Sequence, residues 1–428
     1  MPTEFVGVSE EPSDAAREEE LILITGLASS GEGVGRLVDG RVVFVEDAAV
    51  GDRVALAAIE DRGRYLRAKI GRLEEMSPHR IEPRCPHVGE CGGCSWQHID
   101  YASQLEAKAT IVIDALERIA RIDVPPGLAL VPSPSPFGYR ARARWVEAEG
   151  GIGYRVRGSR RPSPVEQCPV LVSSAQVALA EQVALRSAPT ERPAGGRRRR
   201  REWVVTAGSA GEALVSDARP RSRRGGRDRR EGAVQIDLLG ESLRVSGRSF
   251  LQGNALLWEP LAEAVRTACI GAVQEVSAMR FVELYCGVGF FTIPLARRGA
   301  TGVVLESDPD ALRDLAGNLR HAELEDRVEV LSGRAEERRD LVDRLRRADV
   351  LLVDPPRAGL EARVRAAIGV ARPPRVVYLS CNPATLARDL AELGSAGYQL
   401  SALQAFDLFP QTPHVETLAE LTLASPAG

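Results

Sequence analysis

The 428-residue chain is predicted to be an α/β protein: a doubly wound, Rossmann-like parallel sheet at the C-terminal end, preceded by β-rich regions. Two observations predict this. From about residue 255, apolar strand candidates (MRFVELY, TGVVLES, VEVLSG, ADVLLVD, RVVYLSC) alternate with helical stretches such as DALRDLAGNLRHA and EARVRAAIGVA. Parallel strands need such crossovers. Earlier, residues 21–75 hold closely spaced short strand candidates, LILITGLA, GRVVFVE, RVALAAIE and LRAKIGRLEE, broken by glycine turns, the pattern of a small OB-like β-barrel.

In chain order, residues 1–19 are acidic and polar with no apolar stretch; they read as a disordered tail and not as a signal peptide. The barrel occupies 20–78. A central domain follows over 79–250, opening on three cysteines in a Gly-rich loop. The spacing predicts a helix over 102–121 with Leu105, Val112, Leu116 and Ile119 on one face, a face available to pack on the catalytic domain. Hairpin strands are expected over 137–172. Residues 187–232 contain GGRRRRRE and RPRSRRGGRDRREG, read as a solvated loop insertion. The doubly wound domain takes 251–428.

No run of 18 apolar residues exists, so no membrane span is expected. The formal net charge of -3 does not announce a nucleic-acid partner. Lys69 and Lys108 are the only lysines, so positive charge is nearly all arginine, which suits phosphate contacts and stacking on bases. The cysteine count is seven; an odd number without a secretory signal points to a reducing, cytoplasmic setting with cysteines used for metal or catalysis. A monomer is expected.

Three motifs carry chemistry. MRFVELYCGVGFF is a buried strand entering a turn where Gly287 and Gly289 let backbone approach a ligand. Glu306 ends the next strand and can accept from ribose hydroxyls. Thr292 stands where a third glycine would be, which argues against a nicotinamide dehydrogenase. ADVLLVDPPR ends a strand at Asp354, where ligands of open α/β sheets bind; Arg357 in place of an aromatic argues against N-methylation. RVVYLSCNPATLARDL puts Cys381 at a strand end before a helix, an accessible position that favours a thiolate. FPQTPHVETLAEL offers Glu416 as a general base, with His414 in a structural role. Cys85, Cys91, Cys94 and Cys168 have spacing that allows either a tetrathiolate zinc site or a [4Fe–4S] cluster. Cys269 and Cys286 read as packing.

Taken together, Cys85-x5-Cys91-x2-Cys94, Cys168 in EQCPVL, ELYCGVG, DPPRAG, SCNPATLARD and HVE resemble the bacterial RNA (uracil-5)-methyltransferases over about residues 20–424. The resemblance implies a class I methyltransferase fold using S-adenosylmethionine, and an N-terminal TRAM domain that binds RNA. It implies Cys381 as nucleophile and Glu416 as proton acceptor, with Gln252, Tyr285, Glu306 and Asp354 around the cofactor. It favours [4Fe–4S] over zinc; the C-x3-C-x2-C of radical enzymes is absent. Carbon 5 of uracil is a poor nucleophile, and thiolate addition at carbon 6 converts it to an enolate able to take a methyl. The domain order resembles members acting on 23S ribosomal RNA, with a transfer RNA uridine the alternative. A non-catalytic RNA-binding protein on this scaffold is opposed by intact Cys381, Glu416 and Asp354. Three positions depart from the usual pattern: Phe290 and Arg334 replace residues associated with cofactor contacts, and Glu283 replaces a common Asp.

Overall fold

A computed structural model describes residues 20–124, 127–148, 151–187, 201–218, 232–271 and 275–424. The expected acidic tail and the arginine blocks at 188–200 and 219–231 lie outside the described residues. The chain forms two compact units. One comprises the residues up to Arg84 with Cys94–Ala107 and Gln411–Pro413; the other comprises Cys85–Gly93, Lys108–Pro410 and the chain from His414 on.

The N-terminal unit is built on a six-stranded sheet in the order Leu21–Leu23, Arg53–Asp61, Tyr65–Glu75, Val42–Glu46, Gly33–Arg36, Gly26–Leu27. Residues alternate across the pleat, so Val43 and Val45 are fully buried while their neighbours are half-exposed. They join Ile22, Ile24, Val54, Leu56 and Leu66 in one core. Asp52, also fully buried, anchors the end of this core: Ala49 N–H (2.6 Å) and Ser77 N–H (3.0 Å) donate to it, as does the Arg80 guanidinium (2.7 Å).

In the larger unit a five-stranded antiparallel sheet runs Pro162–Pro164, Gly151–Arg155, Arg142–Ala148, Glu202–Ala207, Ala213–Asp217. Two of these strands fall inside the stretch expected to be a loop insertion, and this corrects that reading. EWVVTA is apolar enough to bury Val204 and Val205, and the flanking arginine blocks masked it.

The doubly wound sheet has eight strands in the order Val328–Ser332, Thr301–Glu306, Arg280–Leu284, Val350–Val353, Arg375–Ser380, Glu416–Leu423, Tyr398–Phe406, Ala129–Val131. The first five are parallel, as the strand–helix alternation demands, and Glu416–Leu423 inserts antiparallel beside Arg375–Ser380. Val350–Val353 is buried at every position, as expected for a strand covered on both faces.

The expected helix over 102–121 is an α-helix only over Tyr101–Ala115; it continues as one π-turn, Leu116–Ala120. Val112 and Leu116 pack into the core of the doubly wound sheet, but Ile119 is exposed. The wider turn rotates later side chains away from the α-helical stripe. The buried face also holds Lys108, whose ammonium pairs with the equally buried Asp407 and donates to the Phe409 carbonyl at 3.0 Å.

Candidate active site

The carboxyl ends of the parallel strands carry the predicted residues. Strand Arg280–Leu284 runs into Tyr285, whose φ of 66° is in the left-handed region, an uncommon conformation for a bulky residue that the surrounding bonds must hold. Tyr285 N–H donates to the Leu305 carbonyl at 2.9 Å. Burial, with the charges of Glu336, Glu361 and Asp389, pushes its phenol up to about 12, so it stays a neutral hydrogen-bonding group.

Gly287 and Gly289 follow, both at positive φ. A Cβ on Gly289 would come within 2.7 Å of Leu315, whereas around Gly287 nothing lies within 4 Å. Gly289 thus permits close packing, and Gly287 leaves a bare face for a ligand. The carboxylate of Glu306 accepts from Gly287 N–H (3.0 Å), Ser307 N–H (2.6 Å) and Asp308 N–H (2.7 Å). Its oxygens have further acceptor capacity, suitable for ribose hydroxyls. Thr292, where a dinucleotide motif would have glycine, donates its hydroxyl to buried Glu283 at 2.5 Å; burial pushes Glu283 up to about 8. Phe290 is core, edge-on to Phe291 at 5.1 Å. Arg334 is exposed and pairs with Glu336.

Asp354 directly follows strand Val350–Val353, and Gln252 donates its amide N–H to it at 3.0 Å. Burial pushes Asp354 up to about 7, against the pull of that bond. Glu416 opens the strand Glu416–Leu423 and is 3% exposed. Burial, and then the charge of Asp354, raises its carboxyl well above the usual range. Cys381 follows strand Arg375–Ser380 and is half-buried; Asn382 caps the next helix, Pro383–Ser395, by accepting from Ala384 N–H at 3.2 Å. Burial, then the charges of Glu416 and Asp354, push the Cys381 thiol up to about 12, while Arg357 pulls the other way. The structure therefore brings Cys381, Asp354, Glu416 and Gln252 into one electrostatic group. Burial and mutual repulsion favour the protonated forms of its thiol and two carboxyls, since several anions cannot share a desolvated site.

Two residues were not assigned a place here from the sequence. Arg357 entered only as an argument against N-methylation; it is the cation that opposes the two acids, and its guanidinium donates to His414 Nδ1 at 3.1 Å. Burial and the nearby cations Arg357, Lys108 and Arg140 push His414 down to about 4, so it is a neutral acceptor, in line with the structural role expected of it. Phe250, two residues before Gln252, is 63% exposed. Exposed aromatic faces are the kind on which bases stack, and the exposure of this one was not legible in the sequence.

Cys85, Cys91 and Cys168 lie in the larger unit and Cys94 in the N-terminal one. The loop carrying Cys91 is fixed by a bridge to Val156 and by Gly92 N–H donating to the Arg155 carbonyl at 2.9 Å. Burial pushes Cys91 up to about 11, with backbone N–H of Gly93 pulling back and the charges of Cys168 and Cys85 adding to the rise. Burial raises Cys85 as well, against the N–H of His87. Cys168 Sγ accepts from Tyr154 at 3.4 Å. Among the described residues, no group of three or more His, Cys, Asp or Glu stands at metal-holding geometry. The donor chemistry of three of the four suits a thiophilic metal group: Cys85, Cys91 and Cys168 are outside any disulfide, each accepts a hydrogen bond, and the charges of Cys168 and Cys85 oppose ionisation of Cys91. Cys269 and Cys286 are buried packing residues.

A parallel sheet ending in a Gly-rich turn, an acidic residue on the second strand and an inserted antiparallel strand together define a class I, S-adenosylmethionine-dependent methyltransferase. Residues 226–423 match the family described as tRNA (Uracil-5-)-methyltransferase, and residues 16–70 match the TRAM domain. An RNA methyltransferase of Thermosynechococcus vestitus is 33% identical over 443 residues, covering 93% of this chain and 97% of the relative. The 23S rRNA (uracil(1939)-C(5))-methyltransferase RlmD of Aromatoleum aromaticum is 34% identical over 439 residues, 93% of this chain and 98% of that protein. The crystal structure of the Pyrococcus abyssi tRNA (uracil-54, C5)-methyltransferase, in complex with S-adenosyl-L-homocysteine, superposes with a TM-score of 0.69 at 24% identity, covering 94% of this chain and 99% of that one. The chain belongs to the RNA (uracil-5-)-methyltransferase family. It is an S-adenosylmethionine-dependent enzyme whose substrate is RNA. No helix among the described residues is long and apolar enough to cross a membrane.

Proposed function

We propose that the enzyme methylates carbon 5 of one uridine in 23S ribosomal RNA, through a transient covalent bond from Cys381 to carbon 6. The observation that carries this is the electrostatic grouping of Cys381, Asp354 and Glu416 at the strand ends. Tyr285, Gly287, Gly289 and Glu306 line the cofactor site, with Asp354 and Gln252 at its reactive end. S-adenosylmethionine, when bound, supplies an electrophilic methyl on a positively charged sulfur. That charge would offset the two carboxyl groups, so Cys381 would lose its proton to solvent and its thiolate would bond to carbon 6, shifting the carbon 5–carbon 6 electron pair to carbon 5, which would take the methyl and leave the cofactor as the neutral thioether. After methylation, Glu416 takes the carbon-5 proton, the carbon 5–carbon 6 double bond reforms, and the thiolate leaves. Arg357 steadies the thiolate before and after the adduct.

In this reading residues 20–78 and 79–250 handle RNA, 251–428 carry out the chemistry, and the enzyme acts in the cytoplasm, where ribosomal RNA and the cofactor meet. Cys85, Cys91, Cys94 and Cys168 would hold a [4Fe–4S] cluster that organises the central domain. The deciding experiment is methylation of separated ribosomal and transfer RNA with labelled cofactor, followed by mapping of the modified base. Label in 5-methyluridine at a single 23S position is expected; label confined to transfer RNA would overturn the choice of substrate.

A further inference from the structure

The helix Pro309–His321 follows Glu306, and its inward face is polar at two positions one turn apart. Asp314 and Asn318 are 1% and 2% exposed. Buried polar side chains persist only when their bonds are satisfied, and the partners here are specific. Asn318 Oδ1 accepts from Arg244 N–H at 2.8 Å. Its Nδ2 donates to the Arg244 carbonyl and to the Val288 carbonyl, both at 3.0 Å. Val288 sits between the two glycines of the cofactor turn. Arg244 belongs to the strand Glu241–Ser246, which leads through a short loop to Phe250 and Gln252.

Asp314 secures the same loop. It accepts from Ser246 N–H (2.7 Å), from the hydroxyls of Ser246 and Ser249 (both 2.6 Å), and from the Arg244 guanidinium. On its other side Arg142 donates to the carbonyls of Gly247 (3.2 Å) and Arg248 (3.1 Å). The loop is thus clamped up to Ser249, three residues ahead of the Gln252 amide that bonds Asp354. One carboxamide joins this segment to the cofactor turn. An apolar residue would suffice for helix-on-sheet packing; Asn318 instead spends both its donors and its acceptor on the backbones of two functional segments.

We propose that Asn318 is a positioning residue that couples cofactor binding to RNA binding. A cofactor seated on Gly287–Gly289 fixes Val288, and through Asn318 fixes Arg244 and the segment that leads to exposed Phe250, the residue it offers to RNA, and to buried Gln252 beside Asp354. Coupling of this kind is reciprocal, so RNA tightens cofactor binding by the same factor. The inference rests on the cofactor-site reading above.

Two measurements test it. In the unaltered protein, saturation with S-adenosylhomocysteine slows hydrogen exchange at the Arg244 amide and along 244–252; unchanged exchange there overturns the proposal, whatever variants do. In calorimetry, a 23S rRNA transcript tightens S-adenosylhomocysteine about tenfold, within the usual range for coupled sites. Asn318→Asp, near-isosteric but without donors, reduces that factor to about one. Arg244→Ala removes the side-chain bond to Asp314 but leaves the backbone pair with Asn318, and keeps the factor, even if its melting temperature falls as far. Wild-type coupling in Asn318→Asp overturns the proposal. Glu306→Gln separates the two readings. If it leaves S-adenosylhomocysteine affinity unchanged, the cofactor site itself is misassigned and the proposal falls with it. If it weakens binding while Asn318→Asp retains coupling, only the coupling role fails.

Discussion

Cys381 and the pair Cys85 and Cys91 are all thiols held protonated, but by different neighbours. Burial is the first cause in each case. At Cys381 the second cause is carboxylate charge, from Glu416 and Asp354, with Arg357 in partial opposition. At Cys91 the added charge is that of other thiols, Cys168 and Cys85, and the opposition is a backbone N–H followed only distantly by Arg140. Each site is short of a cation. At Cys381 the carboxylates have work of their own, so the missing charge must come and go with the methyl donor. At the cysteine loop the charges that oppose ionisation come from other thiols, the setting in which the proposed metal group would supply the balancing charge. In the proposed reading one region awaits a transient cation and the other holds a permanent one.

The sharpest way to break this contrast is to remove the thiol itself. Cys381→Ala is expected to lower methyl transfer by about 10^4-fold or more, as loss of a covalent nucleophile does, while S-adenosylhomocysteine affinity by calorimetry stays within about threefold. Measurable turnover near the wild-type rate would end the covalent reading. Glu416→Gln is expected to slow turnover by about 10^2–10^4-fold, the usual worth of a general base. Because the base acts after the adduct forms, a protein–RNA species should build up on denaturing gels. A slow variant without an adduct would move the proton transfer to another group.

Much of this contrast was legible in the sequence. Strand–helix alternation located the parallel sheet because each crossover needs its own period. Asp354 and Cys381 were legible because strand ends in such sheets are where ligands bind. What sequence could not convey is which groups share an electrostatic environment: nothing in the spacing from Asp354 to Glu416 says that two acids perturb each other. The inserted strand Glu416–Leu423 was not anticipated, and it is what buries Glu416. Lys108 and Asn318 were hidden for the opposite reason. Each is polar on an inward face, where hydrophobic periodicity reports only a gap, and their partners Asp407 and Arg244 are remote in the chain.

The second site has its own test, with a smaller expected effect. Anaerobic addition of iron and sulfide should give the purified protein the broad visible absorbance of an iron–sulfur chromophore, and Cys91→Ser should lose it. Metal binding is coupled to folding, so the variant's melting temperature should fall by about 5 °C, corresponding to roughly 2 kcal/mol in a domain of this size. Stoichiometric zinc in place of iron would keep the resident cation but replace the cluster.

The smallest effect tests the transient cation directly, and its sign follows from the carboxyl groups. Asp354 titrates at about 7 and Glu416 well above its usual range, both raised first by burial. A sulfonium stabilises their ionised forms, so binding it lowers both values and releases protons. Linkage then requires its affinity to rise with pH between the lowered and the ligand-free value, and to level off for Asp354 above about 7. S-adenosylmethionine should therefore bind about tenfold more tightly at pH 7 than at pH 5.5, the change expected for a shift of about one pKa unit or more. S-adenosylhomocysteine, which lacks the charge, should change little over the same range. Asp354→Asn should flatten most of the difference. Parallel pH profiles for the two ligands would mean that the acids do not sense the sulfonium, and Cys381 would then need another route to its thiolate.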